Sequence, residues 1–194
     1  MGIAMPKKPM SLNSALVPLD KSLPTEIAAA IGTIVARHAY LDWLLGQVMY
    51  SLMEISIKQG RVIMKLPRPR VYIAAVKELL EFHEIETKYD FEDLAKRLEK
   101  ADRARRELTR SVYMRDTDSR ELRILLARSH WDPGPGGELQ PELEELDRNL
   151  LTQKRKVVDD AVKCVEKLQD ATNKLLRRRH QERRSRPALD RRRR

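Results

Sequence analysis

The sequence predicts a mainly α-helical protein, a bundle of four to five helices with long first and last members and a short β-prone insert at about 120–128. Two observations carry this. Apolar residues recur at steps of three and four over long windows, which is the period of one helical face. Glycines and aromatics are scarce, with seven Gly and two Phe among 194 residues, so Gly-rich ligand loops and aromatic strands have little to be built from. A chain with 41% hydrophobic and 35% charged residues suits helices that each bury a narrow apolar stripe. Its length suits one domain.

Residues 1–22 read as a disordered N-terminal arm. Lys7 and Lys8 precede a weakly apolar stretch, Met10 to Leu19, which Asn13, Ser14 and Pro18 interrupt, so no signal-peptide core forms. Gly2 suggests N-myristoylation, but Pro6 stands where that motif needs Ser or Thr.

The helical bundle domain is expected over 23–176. Its first helix runs from about Pro24 to Lys58, capped by Ser22 or Leu23, with Pro24 in the first turn and Glu26 near the positive end. Its stripe is Ile27, Ile31, Ile34, His38, Leu41, Leu45, Val48, Leu52 and Ile55. Pro67 and Pro69 close the connection that follows. A second helix, about Val71 to Glu86, places Val71, Ala75, Leu79 and Phe82 on one side. A third starts after the N-cap Asp90, with Asp93 three residues on, and its stripe is Phe91, Leu94, Leu98, Ala101, Arg105, Leu108 and Val112.

The period then shortens. Leu122, Ile124 and Leu126 alternate with Arg123, Leu125 and Ala127, which predicts a hairpin or a single short strand before the Pro- and Gly-rich loop Asp132–Gly137. The final helix is expected from Pro141 to about Arg179, with Leu143, Leu146, Leu150, Val157, Ala161, Cys164, Leu168, Ala171 and Leu175 on its stripe. At about 1.5 Å per residue it spans over ~50 Å. Residues 177–194 read as an Arg-rich disordered tail.

The net charge of +10 is concentrated in that tail, where ten Arg stand against Glu182 and Asp190, a balance of +8. Attraction to phosphate or acidic partners is therefore assigned to Arg177, Arg178, Arg179, Arg183, Arg184 and Arg186, with nucleic acid (RNA more than DNA) as one expected partner; the equal alternative is a solvated, solubilising end that meets no specific partner. The tail has no aromatic residue to stack on bases. The single Cys164 excludes an intramolecular disulfide and fits a reducing, cytoplasmic setting. No run of about 18 apolar residues offers a membrane span.

Chemistry-bearing residues are few. His38 and Asp42, at i and i+4, are a candidate general base and its orienting carboxylate; the alternative is a buried histidine hydrogen-bonded one turn down. The four His and the one Cys have no zinc-ligand spacing, so no metal and no cofactor are expected. Cys164, on an apolar stripe, reads as core. Arg103, Arg105, Arg106 and Arg110 cluster near the end of the third helix. Arg105 falls on the apolar stripe, where an unpaired guanidinium is costly, so it must meet a carboxylate such as Asp42 or Asp102, line a cleft, or reach out to solvent.

These elements carry a resemblance. A helix over "LPTEIAAAIGTIVARHAYLDWLL", a second helix, a third ending in "RARRELTRSVY", a β-prone insert and a long last helix resemble the HEPN (higher eukaryotes and prokaryotes nucleotide-binding) superfamily over about 23–176. Many bacterial members read Arg-Asn/Asp-x-x-x-His at the end of that third helix. Here Arg106 matches the arginine, Glu107 the Asn/Asp position, and Ser111 the place of the histidine. Asp42 matches an acidic residue often found in the first helix. The resemblance implies a homodimer whose paired Arg and His perform metal-independent RNA cleavage. Serine cannot carry protons near neutral pH without a base beside it. A second Arg-x6-His spacing, Arg123 and His130, crosses the strand and loop and reads as coincidence.

The expectation is thus a non-catalytic HEPN-like binding or regulatory module. One alternative is a toxin-like metal-independent ribonuclease using Arg105 or Arg106 with an unrecognised proton carrier, the candidate site residues being Arg106, Arg105, Ser111, Asp42 and His38. The other is a helical structural or interaction protein unrelated to that superfamily.

Overall fold

Long amphipathic segments dominate the computed structural model, which describes residues 16–18, 23–63, 69–85, 89–116, 124–128 and 142–185. The first helix, α1, covers Thr25–Leu52. It buries Ile34, His38, Leu41, Leu45, Val48 and Leu52 of the expected stripe. It stops short of Lys58 because Glu54 turns into the left-handed region (φ 54°). There Ile55 N–H bonds the Tyr50 carbonyl and Glu54 N–H the Ser51 carbonyl, the Schellman closure. A new short helix, α2 (Ile57–Ile63), starts at once. Ser56 Oγ accepts from Gln59 N–H at 3.3 Å while Gln59 Oε1 accepts from Ser56 N–H at 2.9 Å, a reciprocal capping box. Gly60 lets α2 cross the end of α1, since a Cβ there would lie 2.2 Å from Tyr50 Cε1.

Helix α3 (Pro69–Phe82) corrects the sequence reading. Tyr72, Ile73, Val76 and Leu80 are its buried face, whereas Val71 and Phe82 are 57% and 79% exposed. Both faces carry apolar residues, so spacing alone could not choose. The helix closes as α1 does, with Glu84 at φ 53° and Ile85 N–H on the Leu80 carbonyl.

Helix α4 (Phe91–Arg110) is capped as predicted: Asp90 accepts from Glu92 and Asp93 N–H. It ends at Ser111, so Val112 leaves the stripe and opens strand β2 (Val112–Asp116), where it is 55% exposed. Strand β3 (Ile124–Arg128) pairs antiparallel with β2, and β4 (Glu142–Glu145) with β3. Ile124, Leu125 and Leu126 are all buried, so this strand is covered on both faces. Residues Leu16–Pro18 add β1 to the free edge of β2, where the sequence reading placed a disordered arm; backbone pairing at an edge needs no amphipathic pattern. Leu122, Arg123, His130 and the Asp132–Gly137 loop lie outside the described residues.

The last helix, α5, covers Arg148–Ser185. It starts later than Pro141 because β4 intervenes, and Asp147 caps it by accepting from Leu150 N–H at 2.6 Å. It ends later than Arg179, so residues 177–185 are helical rather than a disordered tail. Its core face is shifted by a residue from the expected stripe through its first half. Leu151, Val158, Ala161, Val162, Val165 and Leu168 are buried, while Leu150, Val157 and Cys164 are half-buried beside them.

Helices α1 and α5 run parallel: Glu26 meets Arg148, Arg37 meets Asp159 and Tyr40 meets Glu166. Helix α3 is also parallel to α1, with the Tyr72 hydroxyl on the Leu45 carbonyl and His83 Nε2 on the Leu52 carbonyl. Helix α4 runs the other way against α5, bringing Glu107 to Lys154 and Tyr89 to Cys164. Aliphatic side chains at 0–2% exposure fill the centre, among them Leu44, Val48, Leu98, Val158 and Val165, each stabilising the bundle by about 1.5–3 kcal/mol. No helix among the described residues is long and apolar enough to cross a membrane.

Candidate functional site

Helical spacing assembles a polar cluster between α1 and α4. On α1, His38 puts Asp42 one turn along, with His38 Nδ1 3.3 Å from Asp42 Oδ2. On α4, Asp102 is followed at i+3 and i+4 by Arg105 and Arg106. Its carboxylate takes one arginine on each oxygen, Arg105 Nη2 at 2.9 Å from Oδ1 and Arg106 Nε at 3.0 Å from Oδ2. His38 Nε2 stands 4.0 Å from the same Oδ1. The structure therefore brings together four of the five candidate residues, His38, Asp42, Arg105 and Arg106, around an acid that the sequence offered only as a partner for Arg105.

The fifth candidate, Ser111, is the half-buried C-cap of α4, where the chain turns into β2. No described base hydrogen-bonds to it. Glu107, at the acidic motif position, points to α5. There it accepts from Lys154 Nζ, a side chain only 9% exposed. Sequence reasoning missed Lys154. Its signal is a lysine standing between Leu151 and Val158 on the buried face of α5.

The cluster's electrostatics are uneven. His38 is 5% exposed, and its Nδ1 has no aligned hydrogen-bond partner although Asp42 is near. Arg105 Nε is likewise buried and unpartnered. A general base must reach a substrate proton, and a ring nitrogen closed off from solvent does not. The arginines are more open, with side chains 32% exposed at Arg105 and 48% at Arg106. Among the described residues no group of three or more His, Cys, Asp or Glu is arranged to hold a metal ion.

No family model matches the chain, and no curated protein or solved structure matches it.

The arginines assigned to the tail divide. Arg177 and Arg178 are exposed on the last turns of α5. Arg179 turns back: its Nη1 donates to the His83 carbonyl, and its Nη2 is 3.9 Å from Glu84. His180 Nε2 is 3.9 Å from Glu54. Both contacts fall where α1 and α3 end, so cations meet the negative ends of two helix dipoles. Arg183 and Arg184 lie on the helix backbone, and Arg186 falls outside the described residues.

Proposed function

We propose that this chain is a non-catalytic, HEPN-like helical module of the cytoplasm that binds or regulates a partner. It contacts nucleic acid, RNA more than DNA, through the cationic end of α5. The observation that carries the non-catalytic reading is the fate of the motif positions. Arg106 is held by Asp102, Glu107 by the buried Lys154, and Ser111 caps a helix with no base hydrogen-bonded to it among the described residues. Incubation with mixed RNA in the absence of metal tests it. The expected result is no cleavage; cleavage that disappears in Arg106→Ala overturns it.

The nucleic-acid reading rests on the exposed Arg177 and Arg178 at the end of α5 and on the arginines that follow. Binding is expected to be indifferent to sequence and to fall steeply between about 50 and 200 mM salt. The full chain failing to bind RNA at the lower salt overturns it.

A homodimer belongs to the same reading. Val71 and Phe82 leave one edge of α3 apolar and exposed, a face that a second copy would cover. Sedimentation equilibrium at micromolar concentration is expected to return a dimer, and a monomer would remove this part.

A further inference from the structure

The outer face of α5 carries cations at steps of seven and four: Lys156, Lys163, Lys167, Lys174 and Arg178, all exposed. That spacing aligns them on one side of the helix over about 33 Å. Surface lysines on a helix are ordinarily balanced by acids one turn away. Here two of the acids of α5 are engaged elsewhere. Asp159 accepts from Arg37 Nε at 2.8 Å and lies 3.6 Å from Arg155, and Glu166 accepts from the Tyr40 hydroxyl at 3.3 Å. Among the described residues none of the five cations is paired with a carboxylate. The half-buried Asp160, which also faces Arg97, and the exposed Asp170 and Glu182 are the acids left near the ridge.

Beside this ridge, on α1, stands a ladder of rings. Trp43 is 47% exposed and stacks on Tyr40 with centroids 5.7 Å apart and planes at 17°. Arg37 sits over the other ring at 5.7 Å from its centroid. Core burial does not explain this stack, because Tyr40 is itself 37% exposed. The Tyr40–Glu166 hydrogen bond fixes the ladder against α5 between Lys163 and Lys167. An open π-face beside a line of unpaired ammonium groups has two chemistries to satisfy together. A single-stranded nucleic acid supplies both, with phosphates for the ridge and unpaired bases for the rings. A duplex offers phosphates alone.

We infer that the α1–α5 face of the folded bundle is a single-strand binding surface. The lysine ridge follows the phosphates, and Trp43, backed by Tyr40, stacks a base. The inference rests on the nucleic-acid reading above but moves part of the contact from the arginine-rich end onto the bundle.

The test uses the full chain with Trp131→Phe, so that Trp43 is the only tryptophan. It is titrated with a short oligoadenylate and with a duplex of equal length. Emission is expected to fall and saturate with the single strand. Trp43→Ala should weaken single-strand binding by about fivefold or more while leaving duplex binding unchanged, and Trp43→Phe should keep most of the affinity. Lys163→Gln, Lys167→Gln and Lys174→Gln together should make the single-strand salt slope shallower by about 2. Binding with unchanged emission, and with wild-type affinity in Trp43→Ala, overturns this inference and leaves the α5 end as the contact. Emission that changes on dilution and not on adding oligonucleotide also overturns it, making the rings an interface between copies. No binding to either probe overturns the wider reading as well.

Discussion

On the α5 side of α4, the buried ammonium of Lys154 meets the carboxylate of Glu107. On the α1 side, His38 lies between Asp42 and Asp102 with one ring nitrogen unpartnered. Both are polar groups set into an apolar interior, but only the first is a closed pair. An ammonium taken out of water needs a carboxylate beside it, and removing that partner leaves an uncompensated buried charge. The histidine cluster lacks such a closed pair, and its two arginines stay partly open to water. The difference teaches which charges hold the bundle together and which are merely accommodated.

The comparison breaks most sharply at Glu107. Glu107→Ala leaves Lys154 buried and uncompensated, which should cost about 3 kcal/mol or more in urea unfolding. Combining Glu107→Leu with Lys154→Met should recover most of that loss, because an apolar pair of similar volume removes the need for compensation. Equal losses in the single and double variants would show that packing, not charge, is at stake.

Arg179→Ala should cost about 2 kcal/mol by the same measurement, since it strips a charged donor from the His83 carbonyl. A chain ending at Ser185 should unfold like the full one, while a chain ending at Leu176 should not. Asp102→Ala should cost only about 1 kcal/mol, because Arg105 and Arg106 are open enough to rehydrate. His38→Leu should fall within about 1 kcal/mol of wild type, as an apolar side chain of similar size replaces a partly unsatisfied one. A loss as large as that of Glu107→Ala would mean that His38 is a closed, structural group after all.

The smallest effect is confined to alkaline solution. Burial, then the nearby Cys164 and Asp93, push the Tyr89 hydroxyl up to about 12, and burial raises Tyr72 and Tyr113 too. A folded-state value above the unfolded one means that this stability is complete below the ordinary tyrosine range near ~10 and is lost above it. Unfolding followed against phenolate absorbance should therefore show no tyrosine contribution at neutral pH and a decline from about pH 10 upward.

What the sequence made legible was local. The stripe of α1, the Asp90 cap, and the turn-to-turn pairs His38–Asp42 and Asp102–Arg105 depend on neighbours within four residues, which spacing alone describes. The Ser56–Gln59 capping box was equally readable and marks where α1 had to stop. Other features depended on distant partners. Helix α3 offers Val71, Ala75, Leu79 and Phe82 on one side and Tyr72, Ile73, Val76 and Leu80 on the other, and only its neighbours choose between them. Adjacent apolar pairs such as Leu150–Leu151 and Val157–Val158 left the register of α5 open by one residue. Lys154 and Glu107 stand 47 positions apart, and Arg179 is 96 from the carbonyl it holds. No pattern within a helix announces such pairs.

The parallel seating of α1 and α5 has a consequence for synthesis. Arg37 and Asp159 are 122 positions apart, and the apolar edge of α1 beside them finds its cover only on the last helix. During translation α1 leaves the ribosome long before α5 exists, so its greasy side waits while α2, α3, α4 and the sheet emerge. A chain this dependent on α5 completes its bundle only once that helix has emerged, and the waiting side is exposed meanwhile to capture by chaperones or by other nascent copies. Slow codons before α5 would lengthen that wait, and a helix-weakening change within α5 would be felt as aggregation during expression before it was measured as lost stability.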